Sequence, residues 1–174
     1  MAEPFIVMAT QNPLESYGTF PLPDAQIDRF FMRLSLGYMA REDEVKVISR
    51  RLASDLVKEL ECVVTEEETA ELKAQIPEVK VSEDVMDYIM DIIAATRLNP
   101  KLSRGVSTRG GICLYRAAQA MAAISGRDFV IPEDVRDLAP AVLAHRVGSA
   151  GTSRQDSEAY VAKLVREVKV PLEE

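Results

Sequence analysis

At 174 residues the chain has the length of one average domain, or of one domain with part of another. Its apolar fraction of 47% excludes disorder as the default, and the scarcity of aromatics (five Tyr, five Phe, no Trp) favours packed helices over a β-sandwich. A net charge of -7 argues against capture of nucleic acid by charge alone, and two isolated cysteines with a single histidine leave no zinc-type ligand cluster.

Phe5–Ala9 is a continuous apolar run, which predicts a strand buried on both faces, as in a parallel sheet. It ends in the polar tip Thr10-Gln11-Asn12, and Pro13, Gly18, Pro21 and Pro23 predict a loop beyond it. Asp24–Arg29 reads as a short helical turn, and Phe30–Gly37 alternates well enough for a second strand. Two parallel strands need a sheet to sit in, and no further strand of this quality follows. The expectation is therefore the back part of a larger α/β unit.

From Ala40 the period becomes helical. Arg41 to Glu44 supplies an acidic first turn, and Val45, Ile48, Leu52 and Leu56 form one apolar stripe. Thr65 and Glu68 have capping-box spacing for a helix that ends before Pro77. Ser82 caps a longer helix carrying Val85, Ile89, Ile92 and Ile93, which ends near Arg97. The basic segment 101–109 reads as a turn, with Ser107 or Thr108 capping an alanine-rich helix to about Ser125 that stops at Gly126. Pro132 opens another helix with two acids in its first turn, although Ile131 is a poor cap. Residues 148–153 read as a flexible link, and a last helix spans about Gln155 to Glu167. No apolar run approaches the roughly 18–20 residues that cross a bilayer, nor is the N-terminus laid out as a signal peptide; a cytoplasmic protein is expected.

Acid pairs such as Glu42/Asp43, Glu66/Glu67 and Glu133/Asp134 fall in first turns, where complementing the helix dipole accounts for them. His145 reads as a C-terminal helix cation or a packing residue rather than a catalytic base. Cys62 and Cys113 read as reduced, partly buried thiols. Three polar positions are different. Asn12 follows the carboxyl end of a predicted buried strand, where open parallel sheets place ligand contacts; it is either that or an Asn-Pro turn former. Arg29 stands between Asp28 and Phe30, as a salt-bridge partner or a presented cation. Arg109 lies in the first turn of a helix, where its charge opposes the dipole unless an anion is near.

The segments Met8–Glu15 and Gly18–Phe30 together resemble the sensor 1 to arginine-finger region of the MoxR family of AAA+ ATPases. Gly105–Gly110, Arg116–Ala118, Gly126–Val135 and Leu138–Arg146 resemble that family's helical lid, in the same order. The resemblance implies a mainly α fold: residues 38–174 an all-helical lid domain, residues 1–37 a two-strand remnant of the α/β P-loop core. It further implies that Asn12 orients the attacking water as sensor 1, and that Arg29 is the arginine finger reaching the neighbouring subunit's nucleotide. Arg109 would be the sensor 2 arginine, contacting phosphate in its own subunit.

ATP and Mg²⁺ are the implied cofactors, a ring (a hexamer by family habit) the implied assembly, and von Willebrand A-domain proteins the implied partners in chaperone-like remodelling or metal loading. Two departures stand out: Thr108 where the family commonly has proline, and Gly110 where it has alanine, both of which loosen the start of the helix. The chain also has no Gly-x-x-x-x-Gly-Lys-Ser/Thr loop and no apolar strand ending in Asp-Glu. Both lie upstream in the family, so this stretch alone is expected to be inactive. The rival reading is a stand-alone helical interaction or regulatory module, in which Arg29 and Arg109 pair with acids of the same chain. A DNA-binding helical domain, prompted by the basic 97–109 segment, is opposed by the net charge.

Overall fold

The computed structural model describes residues 5–10, 22–51, 60–149 and 154–171. Four helices make the core: α4 (Glu83–Leu98), α5 (Thr108–Ile124), α6 (Pro132–Leu143) and α7 (Arg154–Glu167). Before them come α1 (Asp24–Ile27), α2 (Arg41–Arg51), α3 (Glu66–Gln75) and a 3₁₀ turn at Ile76–Glu78. The strands β1 (Leu102–Arg104) and β2 (Gly148–Ser149) pair antiparallel.

α4, α5 and α6 start where local chemistry predicts. The Ser82 hydroxyl accepts the Val85 N–H at 3.3 Å, and α4 then buries Val85, Tyr88, Ile89, Ile92, Ile93 and Thr96 along one face. Ser107 caps α5, whose buried Ala117, Ala118 and Ala122 let α6 approach closely. Gly126 takes φ +73 just past α5, a left-handed turn that suits glycine. The weak cap at Ile131 is repaired from three residues on: Asp134 accepts the Ile131 N–H at 3.0 Å and is itself gripped at both oxygens by Arg127, at 2.8 and 2.6 Å. Val135, Ala139, Val142 and Leu143 of α6 then close onto α5, with Val161 and Val165 of α7 in the same cluster.

The mainly helical expectation holds, and the Thr65/Glu68 capping box forms with both of its bonds, at 2.8 and 3.1 Å. The two predicted strands of the α/β remnant do not form. Residues 5–10 have no ladder partner, and Ile6 and Met8 are 83% and 88% exposed. Residues 32–37 form no strand, with Leu36 98% exposed, and the Arg33 N–H bonds the Ala141 carbonyl at 2.9 Å. An extended run becomes a strand only when a neighbour accepts its hydrogen bonds, and no strand among the described residues does so.

The region after residue 38 is not wholly helical either. The segments expected as a basic turn and a flexible link contain β1 and β2, which pair with each other and so join the α4–α5 connection to the one between α6 and α7. Likewise the apolar stripe of α2 is not buried, since Val45 and Ile48 are 55% and 66% exposed; Leu52 and Leu56 lie outside the described residues.

A threonine joins α4 to the start of α5. Thr96 is fully buried; its hydroxyl donates to the Ile93 carbonyl at 2.7 Å and accepts the Val106 N–H at 3.1 Å. Thr96→Val keeps the shape but leaves that buried N–H without an acceptor. Urea unfolding is expected to show a loss of about 1–3 kcal/mol; an unchanged midpoint would mean that the bond contributes nothing net.

Candidate functional site

The described residues converge on one spot at the bundle edge, where the turn 28–31 lies against the N-terminus of α5 and the loop after α6. The turn is formed locally: the Asp28, Arg29 and Phe30 N–H groups bond the carbonyls of Asp24, Gln26 and Ile27. Its position is set from outside by two consecutive residues beyond α6, His145 and Arg146.

Arg146 has a side chain with no exposure at all. Its guanidinium donates to the carbonyls of Asp28 at 3.2 Å and Phe31 at 3.1 Å, and to those of Phe30 and Val142. A further contact goes to Cys113 Sγ at 3.3 Å, and Nε lies 3.4 Å from the Asp28 carboxylate. Burial pulls the Arg146 guanidinium below its ordinary value, with the Cys113 sulfur and the Asp28 carboxylate pulling the other way. An arginine nevertheless stays protonated in a protein, so the turn is held by a permanent buried charge.

His145 donates from Nε2 to the same Phe30 carbonyl at 3.2 Å. Its pKa is pushed down to about 4, first by burial and then by the adjacent Arg146 charge. It is therefore a neutral packing residue, and its reading as a helix-terminal cation does not hold.

Around Asp28 the polar groups close into a small network. The Ser107 hydroxyl accepts the Gly110 N–H at 3.3 Å, which caps α5, and donates to the Asp28 oxygens at 3.0 and 3.2 Å. Arg109 Nη1 stands 3.6 Å from Asp28 Oδ2, an ion pair without hydrogen-bond contact, and its side chain is 56% exposed. Four residues before Asp28, Asp24 pairs with Arg104, whose Nε donates to the Arg146 carbonyl at 3.1 Å.

Of the three residues singled out in the sequence, two are brought to this spot. Arg29 is exposed on the clamped turn, and no ion pair holds its guanidinium among the described residues. Arg109 reaches the same turn from α5 and has a same-chain acid, Asp28, as partner. Asn12 lies outside the described residues. Sequence reading missed Arg146 and Asp28. Both sit inside the motifs that carried the family resemblance, but burial of an arginine on backbone carbonyls leaves no periodic signal.

The structure also explains Gly110. A Cβ there would stand 2.5 Å from Val106 Cγ1 and 2.9 Å from Arg146 Cδ. Glycine thus makes room for the clamping arginine, and its cost to the helix is the smaller effect. The two thiols differ from each other: Cys62 is exposed and Cys113 half-buried against Arg146, and both are free.

Against known proteins, residues 94–165 match the AAA lid domain, and residues 1–32 match the ATPase family associated with various cellular activities (AAA). The chain is 41% identical to the uncharacterized protein YeaC of Bacillus subtilis over 99% of its own length and 55% of the relative's. It is 34% identical to Chaperone MoxR1 of Mycobacterium tuberculosis, covering 84% of this chain and 41% of that one. The crystal structure of a provisionally assigned ATPase from Cytophaga hutchinsonii superposes with a TM-score of 0.86 at 33% identity, over 99% of this chain and 56% of that one.

The class defined by the matched families and the helical bundle is the AAA+ ATPase lid with an adjoining piece of the ATPase core. The chain belongs to the MoxR family of these proteins. It spans about half the length of the curated relatives it matches.

The buried neutral histidine carries a pH signature. In the unfolded chain His145 binds a proton below its ordinary value of 6.5, whereas in the fold it stays neutral down to about 4. Between those values the unfolded state holds more protons, so stability rises with pH. The contribution is complete above pH 6.5 and is lost as pH falls to about 4, on the order of 3 kcal/mol. Comparing unfolding free energies of wild type and His145→Gln across this window isolates the effect from the carboxylates; equal slopes would refute it.

Proposed function

We propose that the intact protein is a ring-forming ATP hydrolase of the chaperone-like kind, in which residues 1–37 end the α/β core and residues 38–174 form the lid. Arg29 serves as the arginine finger for the adjacent subunit's nucleotide, Arg109 as the sensor 2 arginine in its own subunit, and Asn12 as the sensor 1 amide that orients water. The observation that carries this reading is the presentation of Arg29. A buried arginine and a neutral histidine fix the backbone on which it stands, and its own charge is left exposed without an ion pair among the described residues.

Phosphoryl transfer is accelerated mainly by placed charge and water, which suits a rigidly mounted cation. Arg109 fits a phosphate on similar grounds: it is exposed, stands at a capped helix N-terminus, and its carboxylate partner at 3.6 Å is loosely held. The described residues contain no group of three or more acidic, histidine or cysteine side chains suited to a metal. On the family resemblance, the ligands of Mg²⁺ lie in the phosphate-loop half of the intact protein. Its clients are partner proteins remodelled or loaded with metal, with von Willebrand A-domain proteins the class that the family resemblance implies. The alternative of a helical interaction module gains some support from the Arg109–Asp28 pair, but it leaves the exposed and mounted Arg29 without a role.

Complementation in mixed rings separates the two. With the phosphate-loop half present, Arg29→Ala and a phosphate-loop lysine variant should each lose nearly all turnover, about 10³-fold or more for the finger. Mixing them should restore measurable ATPase, because an Arg29→Ala subunit with an intact phosphate loop then meets a neighbour with an intact finger. Full turnover by Arg29→Ala alone would end the finger assignment.

A further inference from the structure

We propose that Asp28 is a positioning residue that couples the two arginines: it holds Arg109 when no phosphate is bound, and it transmits the loss of that partner to the turn carrying Arg29. The proposal rests on the finger and sensor 2 reading given above, and it adds a residue and a direction of communication.

Three side chains meet the Asp28 carboxylate, and they differ in how firmly they are fixed. Arg146 is wholly buried and bound to four carbonyls, so it cannot leave without unfolding the turn. Ser107 is tied down as the cap of α5. Arg109 is different: its side chain is 56% exposed, and its Nη1 approaches Oδ2 only to 3.6 Å. It is the exchangeable member of the set.

An exposed pair of this kind is weak, while a phosphate oxygen offers more charge and better hydrogen bonds. A nucleotide phosphate near the α5 N-terminus therefore takes Arg109 from Asp28. Asp28 then keeps only Arg146 and Ser107, one cation fewer. Because its own carbonyl and those of Phe30 and Phe31 flank Arg29 in the same turn, a change in the balance around Asp28 is a change in the mounting of the finger. Occupancy of one site is thus passed to the finger offered to the next.

Asp28 competes with phosphate for Arg109, which gives the test an unusual sign. In the full-length protein Asp28→Asn should bind ATP more tightly, by about two- to fivefold for an exposed pair, while kcat falls because the finger is misplaced. Equilibrium binding of a fluorescent ATP analogue reads the first effect without needing activity. The gain in affinity should vanish in an Arg109→Ala background. A purely structural role for Asp28 would lower kcat without tightening binding, and a gain that persists without Arg109 would overturn the exchange.

A second measurement does not depend on the Asp28 variant folding. In mixed rings, Arg109→Ala is placed in the phosphate-loop-defective subunit, which supplies only its finger. Turnover at the neighbour's site should fall, although that Arg109 touches no phosphate there; unchanged turnover refutes the coupling. If Arg29→Ala is inactive yet both of these experiments show no effect, the finger reading stands and the coupling through Asp28 falls. If Arg29→Ala is fully active, both fall.

Discussion

The guanidinium of Arg146 is the contact on which the rest of this molecule's edge depends. Removing such a charge from water costs several kcal/mol unless its donors are met. Here the cost is offset by backbone carbonyls from two separate parts of the chain, the turn at 28–31 and the end of α6 at Val142, together with the Asp28 carboxylate. The same bonds that meet its Nη donors, Nε being left without a hydrogen bond, therefore fix where the turn lies. His145 adds a neutral donor to one of those carbonyls, and burial beside Arg146 keeps it neutral. Gly110 completes the arrangement from the far side, because any Cβ at that position would occupy the path of the Arg146 side chain.

One consequence is mechanical. Residues 24–33 precede the helical bundle by many positions, yet their bonds run to it: Asp24 to Arg104, Asp28 to Ser107, Phe30 to His145 and Arg146, and the Arg33 N–H to Ala141. Arg29 is therefore carried with the helical bundle, on the same support as Arg109 and the Asp28 carboxylate that Arg109 faces.

Much of the architecture could be read from residue order. Helix starts at Ser82 and Ser107, the Thr65/Glu68 box, the stop at Gly126 and the proline start at Pro132 all follow from the chemistry of a few neighbouring residues. The motifs around Arg29 and Arg109 were legible for the same reason, since they are contiguous. Asn12, read from the same first motif, falls outside the described residues. What failed was whatever required a distant partner. The apolar runs at 5–9 and 30–37 have the composition of strands, but a strand exists only as half of a pair, and α2 has an apolar stripe that none of the described elements covers.

The amino-acid sequence by itself determined most of the helices, the serine and threonine caps and the family, because these rest on residues within a few positions of one another. Tertiary structure alone decided that Arg146 would be buried, that His145 would be neutral, that Gly110 had to lack a side chain, and that Asp28 would face two arginines at once. The physical reason lies in desolvation and close packing. Both depend on groups far apart in sequence meeting in space, as Gly110 and Arg146 or Phe30 and Arg146 do, and no local pattern records such a meeting.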